Sequence, residues 1–226
     1  MKMNNQRQKI ISCLGTSLFY PIIDLYEKLD KTKFTGNSKI QKSMTEQGYS
    51  CSIILQVAVI IESFTNRIRY FSKTTYRNKK RIGGVQIGAL EFLRRYFKKE
   101  IDLLDKIEEI FILRDAIAHN PLWTINYNYD KDFSEAKTCH RLLKIYGDKK
   151  FKDNICKKTR TTKILGLNVV PIKMSQEDVK ISFGVLKEFC DLLERKKKGV
   201  VRNFSTTWNG KYISLIDFLE KNSIKK

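Results

Sequence analysis

Apolar residues recur at helical spacing along most of the chain, which predicts a protein built mainly from helices. The most hydrophobic stretch, residues 52–71, leaves hardly any polar face and predicts a buried central helix. Its β-branched residues would also allow a strand, but twenty residues without a breaker are too many for one. Residues 102–118 contain neither glycine nor proline and carry an apolar stripe beside acidic side chains. They predict a helix with one face in the core.

Shorter helices are predicted on both sides of these two. The mostly apolar residues 10–23 predict a first core helix, followed by a piece over residues 21–29 whose apolar side chains share a face. Residues 86–98 predict another helix. Ser175 and Asp178 have the spacing of a capping box, which predicts the start of a last long helix over residues 179–194.

The pattern changes in the second half of the chain. Residues 123–129 alternate between apolar and polar, which predicts a strand, and residues 163–173 predict a second strand that could pair with the first. Between them, residues 131–162 form a strongly basic insertion, either a disordered decoration or part of a nucleic-acid surface. A C-terminal extension, residues 200–226, contains a turn signal and a short amphipathic piece at 213–219 that could dock on the helices or on a partner.

Composition sets the outer limits of these predictions. With 226 residues and 42% hydrophobic content the chain can bury a sizeable core, and we take residues 1–226 as a single domain. Forty-four Lys and Arg against 24 Asp and Glu give a net charge of +20, which points to a polyanionic partner, most economically nucleic acid. The alternative is a generally basic surface without a polyanionic partner, because an AT-rich genome raises the lysine content.

The cysteines and histidines argue against a metal centre. Five scattered cysteines, none in a Cys-x-x-Cys pair, are typical of reduced thiols in a cytoplasmic protein. The sole conceivable metal cluster is Cys139, His140 and Cys156, whose spacing matches no familiar zinc site, so we expect neither a metal nor a cofactor. No stretch is expected to approach a membrane span, and the N-terminal region does not fit a signal peptide. A soluble, cytoplasmic protein is therefore predicted.

Candidate chemistry lies at the end of the 102–118 helix. Arg114, Asp115 and His119 lie close together, and Pro121 places the helix end at or near His119. Arg114 supplies a permanent charge and a planar fork that matches phosphate oxygens. At about 100° per residue, roughly 140° around the helix axis separates Arg114 from His119, so one straight helix does not aim both at one point. Convergence would need a distorted last turn or a second copy of the motif from a symmetry mate.

A structural interpretation competes with this one. In it, His119 merely caps the helix, and Arg114 forms a salt bridge with a nearby carboxylate: Glu108, Glu109 or Asp115. Glu62 is the polar exception within the 52–71 helix and needs a partner on either account. It either pairs with Arg67 or Arg69, or lines a site beside Arg114.

A basic loop is predicted between residues 73 and 84. Such a loop is usually only solvated, but in a chain of this charge it is the best candidate for gripping a nucleic-acid backbone. Tyr76 could stack on a base. The RNA-binding candidates are Arg77, Lys79, Lys80 and Arg81. Binding through them should weaken sharply with salt.

The run from Arg114 to His119, followed by Asn120, resembles the Arg-polar-x-x-x-His signature of the HEPN superfamily (higher eukaryotes and prokaryotes nucleotide-binding domain). The context is similar too: an apolar helix carrying Glu62 and Asn66, the motif helix, and a last amphipathic helix. The resemblance covers roughly the middle two thirds of the chain. The strand pattern predicts a small two-stranded β appendage after the motif helix, and the resemblance implies that the fold is otherwise an all-α HEPN-like helical bundle. The resemblance also implies dimerisation that brings two motifs together, and often metal-independent endoribonuclease activity.

The sequence therefore predicts a homodimeric endoribonuclease with a composite active site and RNA as substrate. His119 would act as general base or acid on the RNA 2′-hydroxyl, Arg114 would stabilise charge on the phosphorane, and Asp115 would orient one of them. Glu62 and Asn120 would line the site. A bacterial toxin or antiphage-defence role, with an antitoxin or defence-system partner, is what the resemblance suggests. The alternatives are a HEPN-like module that holds RNA, a nucleotide or a partner without cutting, and a basic all-α protein whose motif is structural.

Overall fold

The structure, a computed structural model, describes residues 14–33, 41–71, 88–119, 126–129, 136–139, 149–156, 158–196, 201 and 204–224. The helices are α1 (Leu14–Ser17), α2 (Phe19–Lys31), α3 (Met44–Phe71), α4 (Ala89–Tyr96), α5 (Ile101–His119), α6 (Lys149–Asn154), α7 (Gln176–Lys196) and α8 (Leu215–Asn222). The strands are β1 (Asn126–Tyr129), β2 (Ala136–Cys139), β3 (Ile155–Cys156), β4 (Thr161–Thr162), β5 (Ser205–Trp208) and β6 (Lys211–Ser214). The fold is mostly helical with small antiparallel sheets, as the hydrophobic pattern predicts.

Helix α3 is the centre of the core, and it packs against α1, α2, α4, α5 and α7. The predicted buried central helix is confirmed, since Ile53, Ile54, Val57, Ile60 and Phe64 are fully buried. The helix begins at Met44, earlier than the pattern suggested. The cause is a local cap: the Ser43 hydroxyl accepts the backbone N–H of Glu46 at 3.2 Å.

By length and composition alone, α3 is long and apolar enough to cross a membrane, contrary to the expectation that no stretch approaches such a span. Half of its most apolar 18-residue window is buried inside the fold. The core helix of a globular protein meets the same two criteria, so this feature is weak evidence about location.

Helix α5 is buried more completely than its sequence suggested. The sequence predicts that one face of α5 is buried, but Leu104, Ile112 and Leu113 are buried in addition to the predicted apolar stripe. Glu109, expected on the polar face, is only 1% exposed. Its carboxylate accepts the backbone N–H groups of Ile164 and Leu165, both at 2.8 Å. The acidic side of α5 therefore supports another part of the chain.

The predicted strand over residues 163–173 is wrong. Residues 163–165 form a turn, Asn168 makes one isolated bridge to Thr161, and Pro171–Lys173 is a short 3-10 turn. Gly166 has a φ of 71°, which interrupts extended backbone. The Glu109 carboxylate also takes two N–H groups that a strand partner would need. Strand β1 pairs instead with β2, antiparallel, with Asn126 opposite Cys139 and Tyr129 opposite Ala136.

Part of the predicted basic insertion belongs to the packed fold. Helix α6 and the short β3–β4 hairpin lie within it, and Phe151 and Ile155 are buried in the main core.

The C-terminal extension docks on the helices. Strands β5 and β6 form a hairpin whose turn residues, Asn209 and Gly210, both have positive φ, as a tight hairpin turn requires. Helix α8 then packs against α7. The Ile224 N–H donates to the Lys180 carbonyl at 3.0 Å, and a Cβ on Gly184 would meet the Ile224 carbonyl oxygen. This end of the chain therefore lies flat on α7.

Candidate functional site

The candidate site forms where α3 passes the C-terminal half of α5. The Nη1 atom of Arg114 donates to a carboxylate oxygen of Glu62, which reaches across from α3. On the other side, Nε and Nη2 of Arg114 approach the same Asp115 oxygen at 2.9 and 2.8 Å. The guanidinium carbon lies 5.1 Å from the ring centre of Phe111. One guanidinium is thus held by two carboxylates and a ring.

The sequence of α5 explains part of this arrangement. Phe111 precedes Arg114 by three residues, so the two side chains lie on the same side of the helix. Asp115 is buried toward the core, and the long Arg114 side chain folds over it. Glu62 completes the arrangement from the neighbouring helix. Arg114 is therefore fixed in orientation before any ligand arrives.

Arg114 is firmly cationic in this setting. Burial opposes its charge, but the negative charges and hydrogen bonds of Glu62 and Asp115 outweigh burial and raise the pKa of Arg114. The contacts within the described residues use three of the five guanidinium N–H groups, which leaves two donors. Since two carboxylates face one guanidinium, the cluster has no excess positive charge of its own.

His119 lies apart from this cluster. It is the last residue of α5 and is exposed. The helix stays α-helical as far as His119, so the roughly 140° separation from Arg114 is retained. Among the described residues, no hydrogen bond or ion pair joins the two side chains. A single chain thus presents the two motif residues in different directions.

Two of the three carboxylates considered as structural partners of Arg114 are engaged elsewhere. Glu108 pairs with Arg94 at 2.6 Å, and Glu109 holds the backbone at residues 164 and 165. Of these three carboxylates, only Asp115 contacts Arg114.

Glu62 contacts Arg114, not Arg67 or Arg69. Arg67 lies over the ring of Phe204 at 5.2 Å, and Arg69 lies over the ring of Phe92 at 4.8 Å. Glu62 therefore lies where the site-lining interpretation puts it.

Several predicted residues lie outside the part of the chain that the structure describes. They are Asn120, Arg77, Lys79, Lys80, Arg81 and His140. For Cys139 the structure describes the backbone only. Cys51, Cys156 and Cys190 are free thiols. No group of three His, Cys, Asp or Glu side chains among the described residues could hold a metal ion.

Sequence reasoning missed a stack of side chains near the end of α3. Arg69 covers one face of Phe92, and Tyr96 stacks on Phe92 with ring centres 5.5 Å apart and planes 19° apart. Tyr96 is 46% exposed, and Tyr70 nearby on α3 is 54% exposed. Exposed rings beside arginines are the kind of surface on which unpaired bases stack. The available signal was the four-residue spacing of Phe92 and Tyr96 in α4.

Comparison with known proteins gives little further information. No family model matches the chain, and no solved structure matches it. It is similar to an uncharacterized protein from Buchnera aphidicola subsp. Baizongia pistaciae, with 27% identity over 133 residues. The match covers 58% of this chain and 48% of that protein, so the chain spans about half the length of its relative. The relative's name states no function.

Proposed function

We propose that the chain is a HEPN-type endoribonuclease that cuts RNA without a metal ion and acts as a homodimer. The observation that carries this proposal is the pre-oriented Arg114 on the same helix as an exposed His119; within the described residues, two of the Arg114 N–H groups have no acceptor. These are the two residue types of the motif. Their positions at the C-terminal end of one helix suit a site completed by a second copy.

The proposed reaction is attack by the RNA 2′-hydroxyl on the adjacent phosphorus. His119 of one subunit takes the 2′-hydroxyl proton as the O2′–P bond forms, and the P–O5′ bond breaks. A proton returns to O5′, from His119 of the other subunit or from water. The products are a 2′,3′-cyclic phosphate and a 5′-hydroxyl. Arg114 donates its two remaining N–H groups to the phosphorane oxygens, where negative charge develops.

Dimerisation supplies what one chain lacks. Arg114 and His119 point in directions about 140° apart on their helix, so one copy cannot direct both at a single phosphate. Two copies of α5 meeting near their C-terminal ends would place an Arg114 of one subunit beside a His119 of the other.

The rest of the molecule is suited to RNA. A net charge of +20 favours a polyanionic substrate, and the exposed rings of Tyr70 and Tyr96 can stack on single-stranded bases. Arg77, Lys79, Lys80 and Arg81 are the proposed backbone contacts. A cytoplasmic toxin or antiphage-defence effector, with an antitoxin or defence-system partner, is the role that the HEPN resemblance favours.

A second candidate is a HEPN-like module that binds RNA, a nucleotide or a protein partner without cutting. The two carboxylates around Arg114 favour it, because they reduce the affinity of this guanidinium for phosphate. In this case Arg114 mainly joins α5 to α3.

Incubation of the full chain with labelled single-stranded RNA and DNA in EDTA separates the two candidates. The enzyme cuts RNA and leaves DNA intact, because DNA lacks the nucleophile. His119→Ala should lower the cleavage rate at least 100-fold, the usual contribution of a general acid or base. Because His119 is exposed, its replacement should leave the melting temperature unchanged.

Lys196→Ala is the matched control, since Lys196 is also an exposed last-turn residue, on α7. It should cut like the wild type. RNA that is bound but survives would favour the binding module. Equal cleavage by wild type and His119→Ala would remove His119 from the mechanism.

A further inference from the structure

An arginine and two aromatic rings form a stack between the end of α3 and α4. The Arg69 guanidinium carbon lies 4.8 Å from the centre of the Phe92 ring, and the Tyr96 ring stacks on Phe92 with ring centres 5.5 Å apart. The Arg69 Nη2 atom also donates to the Gly88 carbonyl at 3.3 Å, which joins the two helices at the same place. These three side chains form the α3–α4 stack. Because Phe92 is buried and contacts side chains of both helices, it gives Tyr96 a fixed support.

The α3–α4 stack ends at the surface of the molecule. Tyr96 contacts Phe92 and, edge-on, Phe97, and it is still 46% exposed. Tyr70, which follows Arg69 directly in α3, is 54% exposed. An aromatic ring that is held in place and open to water is a surface on which an unpaired base of any kind can stack. Two such rings lie at this corner of the fold.

The α3–α4 stack lies on the same side of α3 as the contact between Glu62 and Arg114. Arg69 follows Glu62 by seven residues, which is close to two turns of the helix, or about 10 Å along its axis. Asn66 and Tyr70 follow Glu62 at steps of four residues, and both are exposed. One exposed face of α3 therefore leads from the α3–α4 stack to the candidate site.

The most basic loop of the sequence begins and ends at the α3–α4 stack. Residues 72–87 connect the end of α3 to Gly88, whose carbonyl accepts the Arg69 hydrogen bond. They contain five Lys or Arg and no Asp or Glu. The acid of α4, Glu91, is paired with Arg95 at 2.7 Å. Positive charge beside open rings suits a nucleic-acid strand, which carries a phosphate and a base in every nucleotide.

An unpaired strand can use both features, whereas a duplex can use only the charge. In a duplex each base is stacked between its neighbours, so its faces are closed to a tyrosine ring. Single-stranded segments and loops of RNA have bases that can turn outward and stack on aromatic side chains. The exposed rings therefore favour an unpaired strand over a paired one.

We propose that Tyr70 and Tyr96 form a base-stacking subsite that selects unpaired RNA and holds it a few nucleotides from Arg114. Its role in cleavage rests on the proposed function, but binding at the subsite requires no cutting. A strand that stacks on Tyr96 continues along the exposed face of α3, where the Asn66 amide can both donate and accept hydrogen bonds. The subsite reads no base sequence, because every base has a face that can stack.

Single-stranded DNA tests the subsite separately from cleavage, because it has bases to stack but no 2′-hydroxyl to react. Fluorescence anisotropy measures binding of the full chain to a labelled single strand, to the same strand in a blunt duplex, and to an abasic strand of equal length. The wild type should bind the abasic strand about 10-fold more weakly than the normal one, since the phosphates remain and the stacking is lost.

Tyr96→Ala should weaken binding of the single strand about 10-fold and leave binding of the duplex unchanged. Tyr70→Ala should show the same selective loss, and Tyr96→Phe, which keeps the ring, should bind like the wild type. Tyr212→Ala is the matched control, since it removes a tyrosine that is 74% exposed on β6. It should change neither affinity. With RNA as substrate, Tyr96→Ala should raise KM about 10-fold at unchanged kcat, as the loss of uniform binding does.

Three results would overturn the proposal. They are equal binding of the normal and abasic strands by the wild type, wild-type affinity of both alanine variants for the single strand, and an equal loss of single-strand and duplex binding. The first two would leave this surface to a protein partner. If Tyr96→Ala does not fold, Tyr70→Ala and the abasic strand decide. Failure of the proposed function looks different, because RNA that binds through the subsite and stays uncut supports the subsite and contradicts only the cleavage.

Discussion

At the scale of single residues, Glu62 decides what Arg114 can do. Without it, the guanidinium would be held from one side only, by its sequence neighbour Asp115. With it, Arg114 is fixed across two helices, and two of its N–H groups are used by no residue that the structure describes. In the proposed reaction Glu62 is thus a positioning residue, which acts through Arg114 and does not touch the RNA.

Glu62→Gln should lower kcat about 10-fold and change KM little, because a loosened Arg114 stabilises the transition state less well than it binds substrate. The free energy of unfolding should fall by less than about 1 kcal/mol, since both partners are about a third exposed. Single-turnover cleavage and urea unfolding measure the two effects. Glu91→Gln is the control, because it breaks an exposed Glu–Arg pair, with Arg95, elsewhere. A loss of stability without any loss of kcat would show that Glu62 only joins α3 to α5.

Single residues also show what could and what could not be predicted from the sequence. Pro121 and the spacing of Arg114 and His119 were sufficient to place the helix end and the candidate chemistry. The contact between Glu62 and Arg114 was one of two open alternatives, because it depends on how two helices pack. Arg160 belongs to the predicted basic insertion and is nevertheless only 5% exposed. Its burial follows from the tertiary fold and leaves no periodic signal.

At the scale of elements, the start of α7 is the clearest link between sequence and structure. One half of the predicted capping box is present: the Ser175 N–H donates to the Asp178 carboxylate at 2.9 Å, and the Ser175 hydroxyl donates to the same oxygen at 3.0 Å. Asp178 also accepts the backbone and side-chain N–H groups of Asn168, so the cap joins α7 to the preceding turn. One carboxylate thus organises a helix start and a loop.

Asp178→Ala should lower the free energy of unfolding by about 2–3 kcal/mol, because the buried donors of Ser175 and the half-buried donors of Asn168 lose their acceptor. Glu177→Ala is the matched control, since it removes the same charge from the same first turn at an exposed position. It should cost no more than about 0.5 kcal/mol. Urea unfolding at neutral pH compares the two. Equal losses would mean that helix-end charge, and not the hydrogen bonds, stabilises α7.

The wrong prediction of a strand over residues 163–173 has a physical cause. Residues 163–173 have the composition of a strand, but Gly166 turns the chain and the buried Glu109 takes its N–H groups. The strand that pairs with β1 is β2, which follows it closely in the sequence. Consecutive strands pair more often than distant ones. Long helices such as α3 and α5 were predictable, since the helical spacing of their apolar residues is repeated over many turns.

At the scale of the whole molecule, the overall charge and the two-fold symmetry of the proposed dimer have separate roles. The chain carries +20 overall, yet the cluster around Arg114 has more carboxylates than cations. In the proposed dimer, long-range attraction brings RNA to the protein, and two opposed motifs supply the local groups. A monomer would bind RNA through its basic surface and leave it uncut.

The most direct test of RNA cleavage by 2′-hydroxyl attack is identification of the product ends by mass spectrometry, after digestion in EDTA. We expect a 2′,3′-cyclic phosphate, or the 3′-phosphate formed when it opens, on one fragment and a 5′-hydroxyl on the other. An RNA with 2′-deoxy sugars at the cut positions should stay intact. Fragments that end in a 3′-hydroxyl and a 5′-phosphate, or cleavage that persists without the 2′-hydroxyl, would contradict the proposed chemistry.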